Sequence, residues 1–158
     1  MRLRIVSRFT LLAMLFCQSA YAYGPYTATL INTVDGDTFK ADVALWPGLT
    51  ERVLVRLAGV DTPELKASAA CSKLMTSTEC DSLVAQKACE RALAVKARDY
   101  LDMLLRSGPI TINAINNDKF AGRVDAVVTV GTVDASVALI TSGNGRQYLG
   151  GPRLSWCL

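Results

Sequence analysis

The chain has 158 residues, of which 51% are hydrophobic, enough for one domain with a single apolar core. Its formal charge is +3, from 17 basic and 14 acidic residues, and it contains no histidine. The absence of histidine excludes Ser-His and Cys-His nucleophilic sites and histidine-bearing zinc sites. Carboxylates, lysines, tyrosines and a metal ion remain for any catalytic chemistry.

The first 22 residues have the pattern of a signal peptide. A basic start, "MRLRIVSR", precedes a short apolar run, "FTLLAMLF", and "SAYA" ends with alanines at the positions that signal peptidase prefers. The apolar run is too short to span a bilayer by itself. We predict cleavage after Ala22 and a mature chain beginning near Tyr23. A lipid anchor at Cys17 is the alternative, and bulky Phe16 before it disfavours that alternative.

Removing the signal peptide also removes the apparent basicity. Arg2, Arg4 and Arg8 lie within it, which leaves 14 basic residues against 14 acidic ones. A broad basic face of the kind that dominates non-specific DNA binding is therefore not expected, and any nucleic-acid binding needs a local positive cluster.

The first half of the mature chain predicts three strands. "TATLINTV" (27–34) is rich in β-branched residues, and "TFKADVAL" (38–45) alternates in part, with Asp-Gly between them as a turn signal. After a turn at Trp46-Pro47-Gly48, "RVLVRLAGV" (52–60) predicts a third strand. An irregular loop from Leu65 to about Ser77 follows.

The second half predicts a long helix, two strands and a short helix. Thr78 and Asp81 form an acceptable helix start, and Leu93, Ala97, Leu101 and Leu104 recur at helical spacing to about Arg106. "ITINAI" (110–115) and "RVDAVVTV" (123–130) predict strands, and "VDASVALITSG" predicts a helix that Gly143 ends. Five short strands with a helix between the third and fourth indicate a closed barrel of the oligonucleotide-binding (OB) kind. We therefore predict a single α+β domain at 23–158, with a five-stranded OB-fold β-barrel and two to three helices.

Four cysteines remain after cleavage, and an even number in an exported domain favours two disulfides. Cys89 lies on the long helix and Cys157 is almost the last residue, so a bridge between them would hold the tail against the domain. Cys71 and Cys80 would then pair across the loop after Glu64. This is one of the three pairings that four cysteines permit.

Two short segments, "VDGDTF" (34–39) and "VRLAGVDTPE" (55–64), bring acidic residues and an arginine together. Each alone is typical of an ordinary turn, but Arg56 in an apolar strand indicates a carboxylate or phosphate opposite it. Neighbouring strand ends would place Asp37 beside Asp61, and two carboxylates that close favour a hard divalent cation between them. The Thr62 carbonyl is a further candidate ligand, and Glu64 stands one turn further on, where it would hold a water.

These segments resemble the staphylococcal nuclease (thermonuclease) family, and the likeness covers nearly all of the mature chain. It includes "ATLINTVDGDTF", "VRLAGVDTPE", "ACERALAVKARDYL", the "DKFAGR" turn and the ending "YLGGPRLSWC". The resemblance implies an exported phosphodiester hydrolase acting on DNA and RNA, with products that carry a 3′-phosphate. It also implies the site residues: Ca²⁺ on Asp37, Asp61 and Thr62; Arg56 and Arg123 on the scissile phosphate; Glu64 as general base; and Asp35 near the metal.

The chain departs from the family pattern at one turn. Where the family has Asp-Lys-Tyr-Gly-Arg, this chain has "DKFAGR" (118–123), with phenylalanine for tyrosine and Ala121 inserted before Gly122. The insertion bears on where Arg123 points. Lys119 and Tyr148 are the candidates for contacting nucleotides through charge and stacking, although a tyrosine in a tail is more often a packing residue.

Two alternatives to the nuclease stay open at this point. The first is a non-catalytic OB-fold module that binds single-stranded nucleic acid or oligosaccharide. The second is a toxin or conjugation accessory factor with the same chemistry. In each case we predict a periplasmic or secreted monomer whose mature form does not associate with membranes.

Overall fold

The computed structural model describes residues 24–66 and 70–157. The predicted signal peptide and its cleavage site lie outside the described residues. Within them the chain forms, in order, β1 (Tyr26–Asp35), β2 (Thr38–Trp46), β3 (Leu49–Leu57), β4 (Val60–Asp61), α1 (Ser77–Leu105), β5 (Ile110–Asn117), β6 (Arg123–Val130), β7 (Val133–Asp134), α2 (Ala135–Thr141) and β8 (Arg146–Gln147).

Five of these strands close into a barrel. Strands β3, β2, β1, β5 and β6 are hydrogen-bonded in that order, each antiparallel to the next. A parallel pairing of β3 with β6 then joins the two ends, with Leu54 opposite Arg123 and Arg56 opposite Asp125. Closure leaves no open edge between the five strands. The predicted α+β fold with a five-stranded, OB-like barrel is therefore confirmed, and the described residues form two helices where two to three were predicted.

The barrel encloses one apolar core because alternate residues of the strands point inward. In β2, Phe39, Ala41 and Val43 are buried while the residues between them are more exposed. Helix α1 packs against β1 and α2, and it covers the core with Ala94, Ala97, Leu101 and Leu105. Of the residues whose spacing predicted this helix, Ala97 and Leu101 are buried, whereas Leu93 and Leu104 are only half-buried.

The predicted start of α1 was wrong by two residues. The capping residue is Thr76, whose hydroxyl accepts a hydrogen bond from the Glu79 N–H, while the Glu79 carboxylate accepts one from the Thr76 N–H at 2.8 Å. This reciprocal arrangement satisfies two N–H groups, and Glu is the residue that reaches back to form it. In the part of the chain described here, no helix is long and apolar enough to cross a membrane.

Both predicted disulfides are present. Cys71 pairs with Cys80 across the segment before α1, and Cys89 pairs with Cys157, a separation of 68 residues along the chain. The side chain of Gln86 also donates a 2.7 Å hydrogen bond to the carbonyl oxygen of Cys157. The C-terminal segment is thus fixed to the outer face of α1. Two disulfides fit an oxidising environment rather than a reducing cytoplasm.

Candidate metal and phosphate site

One cavity of about 800 Å³ lies where the β1–β2 turn, the inner part of β3 and the β5–β6 turn meet. Its lining is rich in charge of both signs. Of the residues selected from sequence, seven line it, and they are Asp35, Asp37, Arg56, Glu64, Lys119, Arg123 and Tyr148. Lys66, Asp118, Asp125 and Arg153 line it as well.

Asp37 and Arg56 form a buried ion pair at the base of this cavity. Arg56 Nη1 lies 2.7 Å from Asp37 Oδ2, and the two side chains are only 12% and 5% exposed. The Thr38 hydroxyl donates a 2.8 Å hydrogen bond to the other Asp37 oxygen. Burial raises the pKa of Asp37 above its usual range, and the charge of Arg56 and the hydrogen bond from Thr38 oppose that shift. The expectation that Arg56 faces a carboxylate is confirmed.

Thr62 is buried against the Asp35–Asp37 turn, Asp61 is buried as well, and neither residue lines the cavity. Gly36 explains the close approach, because a Cβ atom placed on it would lie 2.7 Å from the Thr62 hydroxyl oxygen and 2.8 Å from the Cβ of Ala97. Asp61 itself is completely buried. Its strand β4 pairs with β8, which sets Asp61 opposite Arg146.

The two carboxylate oxygens of Asp61 have different partners. Oδ2 accepts hydrogen bonds from Arg146 Nη2 at 2.9 Å and Nε at 3.1 Å. Oδ1 lies 3.1 Å from Arg153 Nε, but the contact lacks hydrogen-bond geometry, so no described residue donates a hydrogen bond to this buried oxygen. A buried carboxylate oxygen held only by an unaligned ion pair is unusual, and it is open to a further partner.

Glu64 stands at the entrance, with its side chain 43% exposed and ion-paired to Arg153. Asp35 lies nearby and accepts backbone N–H bonds from Gly36 and Leu65. Burial, together with the charges of Glu64 and Asp37, raises the pKa of Asp35 to about 6, although those N–H bonds oppose the shift. Carboxylates this close together repel one another, so nearby positive charge stabilises their ionised forms.

The altered turn leaves Arg123 in the cavity. Arg123 is ion-paired to Asp118, and its guanidinium lies 4.7 Å from the centre of the Phe120 ring. The inserted residue is accommodated in the turn, where Gly122 has a φ of +77°. Tyr148 also lines the cavity, and its hydroxyl donates a 2.7 Å hydrogen bond to the Gly151 carbonyl. Lys119 lies over the exposed Phe120 ring at 5.2 Å.

Sequence reasoning missed Arg146 and Arg153, which neutralise Asp61 and Glu64. Both lie in a C-terminal segment without strand or helix periodicity. The available signal was the tail cysteine, because a bridge from Cys157 to α1 necessarily brings the preceding "GPRLSW" segment back onto the domain.

The carboxylate oxygens of Asp37 and Asp61 have the chemistry that suits a hard divalent cation. Asp37, Asp61 and Glu64 all act electrostatically on Arg153, and one buried oxygen of Asp61 accepts no hydrogen bond from a described residue. Carboxylate oxygens are the ligands that Ca²⁺ and Mg²⁺ prefer. Among residues 24–66 and 70–157, no three acidic or cysteine side chains converge as a ready-made metal-binding group. The remaining candidate ligands for such an ion are the carboxylates of Asp37 and Asp61, the Thr62 carbonyl and water.

Gly36→Ala is expected to destabilise the protein by about 1–3 kcal/mol, because the new methyl group would overlap Thr62 and Ala97. The free energy of unfolding in urea is the measurement. Gly108→Ala is the matched control, since its added Cβ meets its nearest neighbour, a Val130 side-chain carbon, at 3.4 Å. The control should change stability by less than about 1 kcal/mol. Equal effects of the two substitutions would contradict the tight contact at Gly36.

Fold and site together define the class of protein: a disulfide-linked, closed OB-like α+β barrel with a cavity of mixed carboxylate and arginine character. No protein-family model matches the chain, and no curated protein matches it either.

Proposed function

We propose that this protein is an exported, Ca²⁺-dependent phosphodiester hydrolase of the staphylococcal nuclease type, acting on DNA and RNA. The observation that carries the proposal is the convergence of Asp37, Arg56, Glu64 and Arg123 on one cavity. These residues lie in separate segments of the sequence, from which we chose them as candidates for phosphodiester hydrolysis. The two disulfides support an oxidising destination, and the basic, then apolar, N-terminal segment supports export.

The proposed ion would be held by Asp37, Asp61 and the Thr62 carbonyl. Bound there, Ca²⁺ would supply positive charge that stabilises the negative charge developing on a phosphate. Arg56 and Arg123 have forked N–H donors suited to phosphate oxygens, and both line the cavity. A phosphate would replace Asp118 as the partner of Arg123.

Glu64 is the proposed general base. Its carboxylate is partly exposed at the cavity wall, where a water molecule can reach it. In the reaction the water oxygen bonds to phosphorus, Glu64 takes the water proton, the bond to the 5′ oxygen breaks, and that oxygen takes a proton from solvent. The products then carry a 3′-phosphate and a 5′-hydroxyl. Lys119 and Tyr148 are proposed to contact the nucleotides on either side of the reacting phosphate.

A non-catalytic single-strand binding module is the second candidate. The observation that favours it is that two of the proposed catalytic side chains are already engaged in ion pairs. Glu64 pairs with Arg153, and Arg123 pairs with Asp118. A protein of that kind would bind a strand through Lys119, Phe120 and Tyr148 without cutting it.

Incubation of the mature protein with labelled single-stranded DNA in Ca²⁺, and again with a chelator, distinguishes these functions. We expect cleavage in Ca²⁺ that the chelator abolishes. The new 5′ ends should accept phosphate from a polynucleotide kinase without prior dephosphorylation, because they carry hydroxyls. Binding without any cleavage would favour the binding module, and 2′,3′-cyclic phosphate ends on RNA would contradict attack by water.

A further inference from the structure

Arg153 places a positive charge among the carboxylates proposed to hold the metal. Its Nε lies 3.1 Å from Asp61 Oδ1, and its Nη1 is paired with Glu64. Partial burial lowers the pKa of Arg153, but the hydrogen bond with Glu64 and the charges of Glu64, Asp61 and Asp37 raise it by more. One guanidinium therefore interacts with three acidic residues at once.

The position of Arg153 is fixed by contacts on both sides of it in the chain. On one side, the Tyr148 hydroxyl bonds to the Gly151 carbonyl. On the other, Arg146 Nη1 donates a 3.2 Å hydrogen bond to the Ser155 carbonyl, and Cys157 is bonded to Cys89. This anchoring holds the guanidinium at a high effective concentration beside the carboxylates.

Arg146 and Arg153 are bound very differently, although both pair with Asp61. Arg146 donates two hydrogen bonds to Oδ2, and its guanidinium lies 4.1 Å from the centre of the Trp156 ring. Arg153 makes no aligned hydrogen bond to Oδ1, and its side chain is 38% exposed. Arg146 is therefore a fixed structural partner, whereas the Arg153 side chain can leave without disturbing the backbone anchors.

We propose that Arg153 is a tethered cation that occupies the divalent-metal site, and that a divalent ion must displace its side chain from Asp61 in order to bind. The inference rests on the proposed function, because it takes Asp37 and Asp61 as the metal ligands. Arg153 and a divalent ion compete because two cations cannot share the same carboxylate oxygens without strong repulsion. The exposed side of the Arg153 side chain gives it a path toward the open cavity. Arg153 thus sets how much Ca²⁺ the protein requires.

Isothermal titration with CaCl₂, without nucleic acid, tests the proposal through binding alone. We expect Arg153→Gln to bind Ca²⁺ about tenfold more tightly than the unmutated protein. This value assumes that, without Ca²⁺, the Arg153 side chain is off Asp61 in roughly one molecule in ten, because only those molecules can bind the ion. Arg153→Lys keeps the charge but lacks the guanidinium that contacts both Asp61 and Glu64, so its Ca²⁺ affinity should rise by only about two- to threefold. Arg52→Gln is the matched control, because Arg52 pairs with an exposed carboxylate, Asp42, and should leave Ca²⁺ affinity unchanged.

The outcomes separate this inference from the proposed function. Equal Ca²⁺ affinity in the unmutated protein and both Arg153 variants would overturn the tethered cation and leave the metal site standing. Weaker binding by Arg153→Gln would also overturn it, because Arg153 would then support the site. Absence of Ca²⁺ binding in every variant would overturn both proposals. Far-ultraviolet circular dichroism establishes that each variant is folded, and Arg153→Lys carries the test if Arg153→Gln is not.

Discussion

Glu64→Gln is expected to lower the rate of Ca²⁺-dependent DNA cleavage by about 10²–10⁴-fold, the usual effect of removing a positioned general base. Glutamine has nearly the same shape as glutamate but cannot take a proton from water. Because the Glu64 side chain is 43% exposed, its replacement should alter stability little. The measurement is the initial cleavage rate of single-stranded DNA at saturating Ca²⁺.

Glu51→Gln provides the matched control for this substitution. Glu51 is an exposed residue of β3, opposite Val43 and five residues along the strand from Arg56. Its replacement should leave the cleavage rate unchanged. Cleavage by Glu64→Gln at the rate of the unmutated protein would show that Glu64 is not the base, and would direct attention to the neighbouring Asp35.

Arg56→Met is expected to cost about 3–5 kcal/mol of unfolding free energy, because it leaves the buried Asp37 carboxylate without its charged partner. The same change should lower cleavage strongly, since Arg56 is the innermost phosphate donor of the proposed site. Stability is measured by urea unfolding at neutral pH. Cleavage is then measured under conditions in which the variant is folded.

Two further variants test the reason for this loss. Arg52→Met removes an arginine from an exposed pair with Asp42, where the side chains are 60% and 32% exposed, and should cost at most about 1 kcal/mol. The double variant Asp37→Asn with Arg56→Met should be more stable than Arg56→Met alone, because no unpaired charge is then buried. If Arg56→Met and Arg52→Met cost the same, the ion pair does not carry the stability assigned to it.

Much of the barrel could be predicted from the sequence because its strands have a strong local pattern. Phe39, Ala41 and Val43 alternate with more exposed residues, and Asp-Gly marks the turn before them. The acidic segments were found for a related reason: an arginine within an apolar strand demands a partner. Asp37 is that partner, at 2.7 Å.

The features of the site that could not be predicted from the sequence depend on contacts between residues far apart in the chain. Strands β4 and β8 have two residues each, too few to show any period, yet they set Asp61 opposite Arg146. Arg153 reaches Asp61, far from it in the chain, from a C-terminal segment that is bonded to α1 through Cys157. The start of α1 was misplaced for a local reason, since two threonines, each followed three residues later by an acid, both suit a helix start.

We propose that Asp37, in the cavity, and the buried Asp61 hold one divalent ion between them. This proposal is tested most directly by an anomalous difference map from crystals of the mature protein grown with Ca²⁺. We expect a single strong peak within about 2.3–2.6 Å of oxygens from both carboxylates and the Thr62 carbonyl, with the Arg153 side chain moved off Asp61. A map in which Arg153 still pairs with Asp61 and no ion touches either carboxylate, at saturating Ca²⁺, would contradict it.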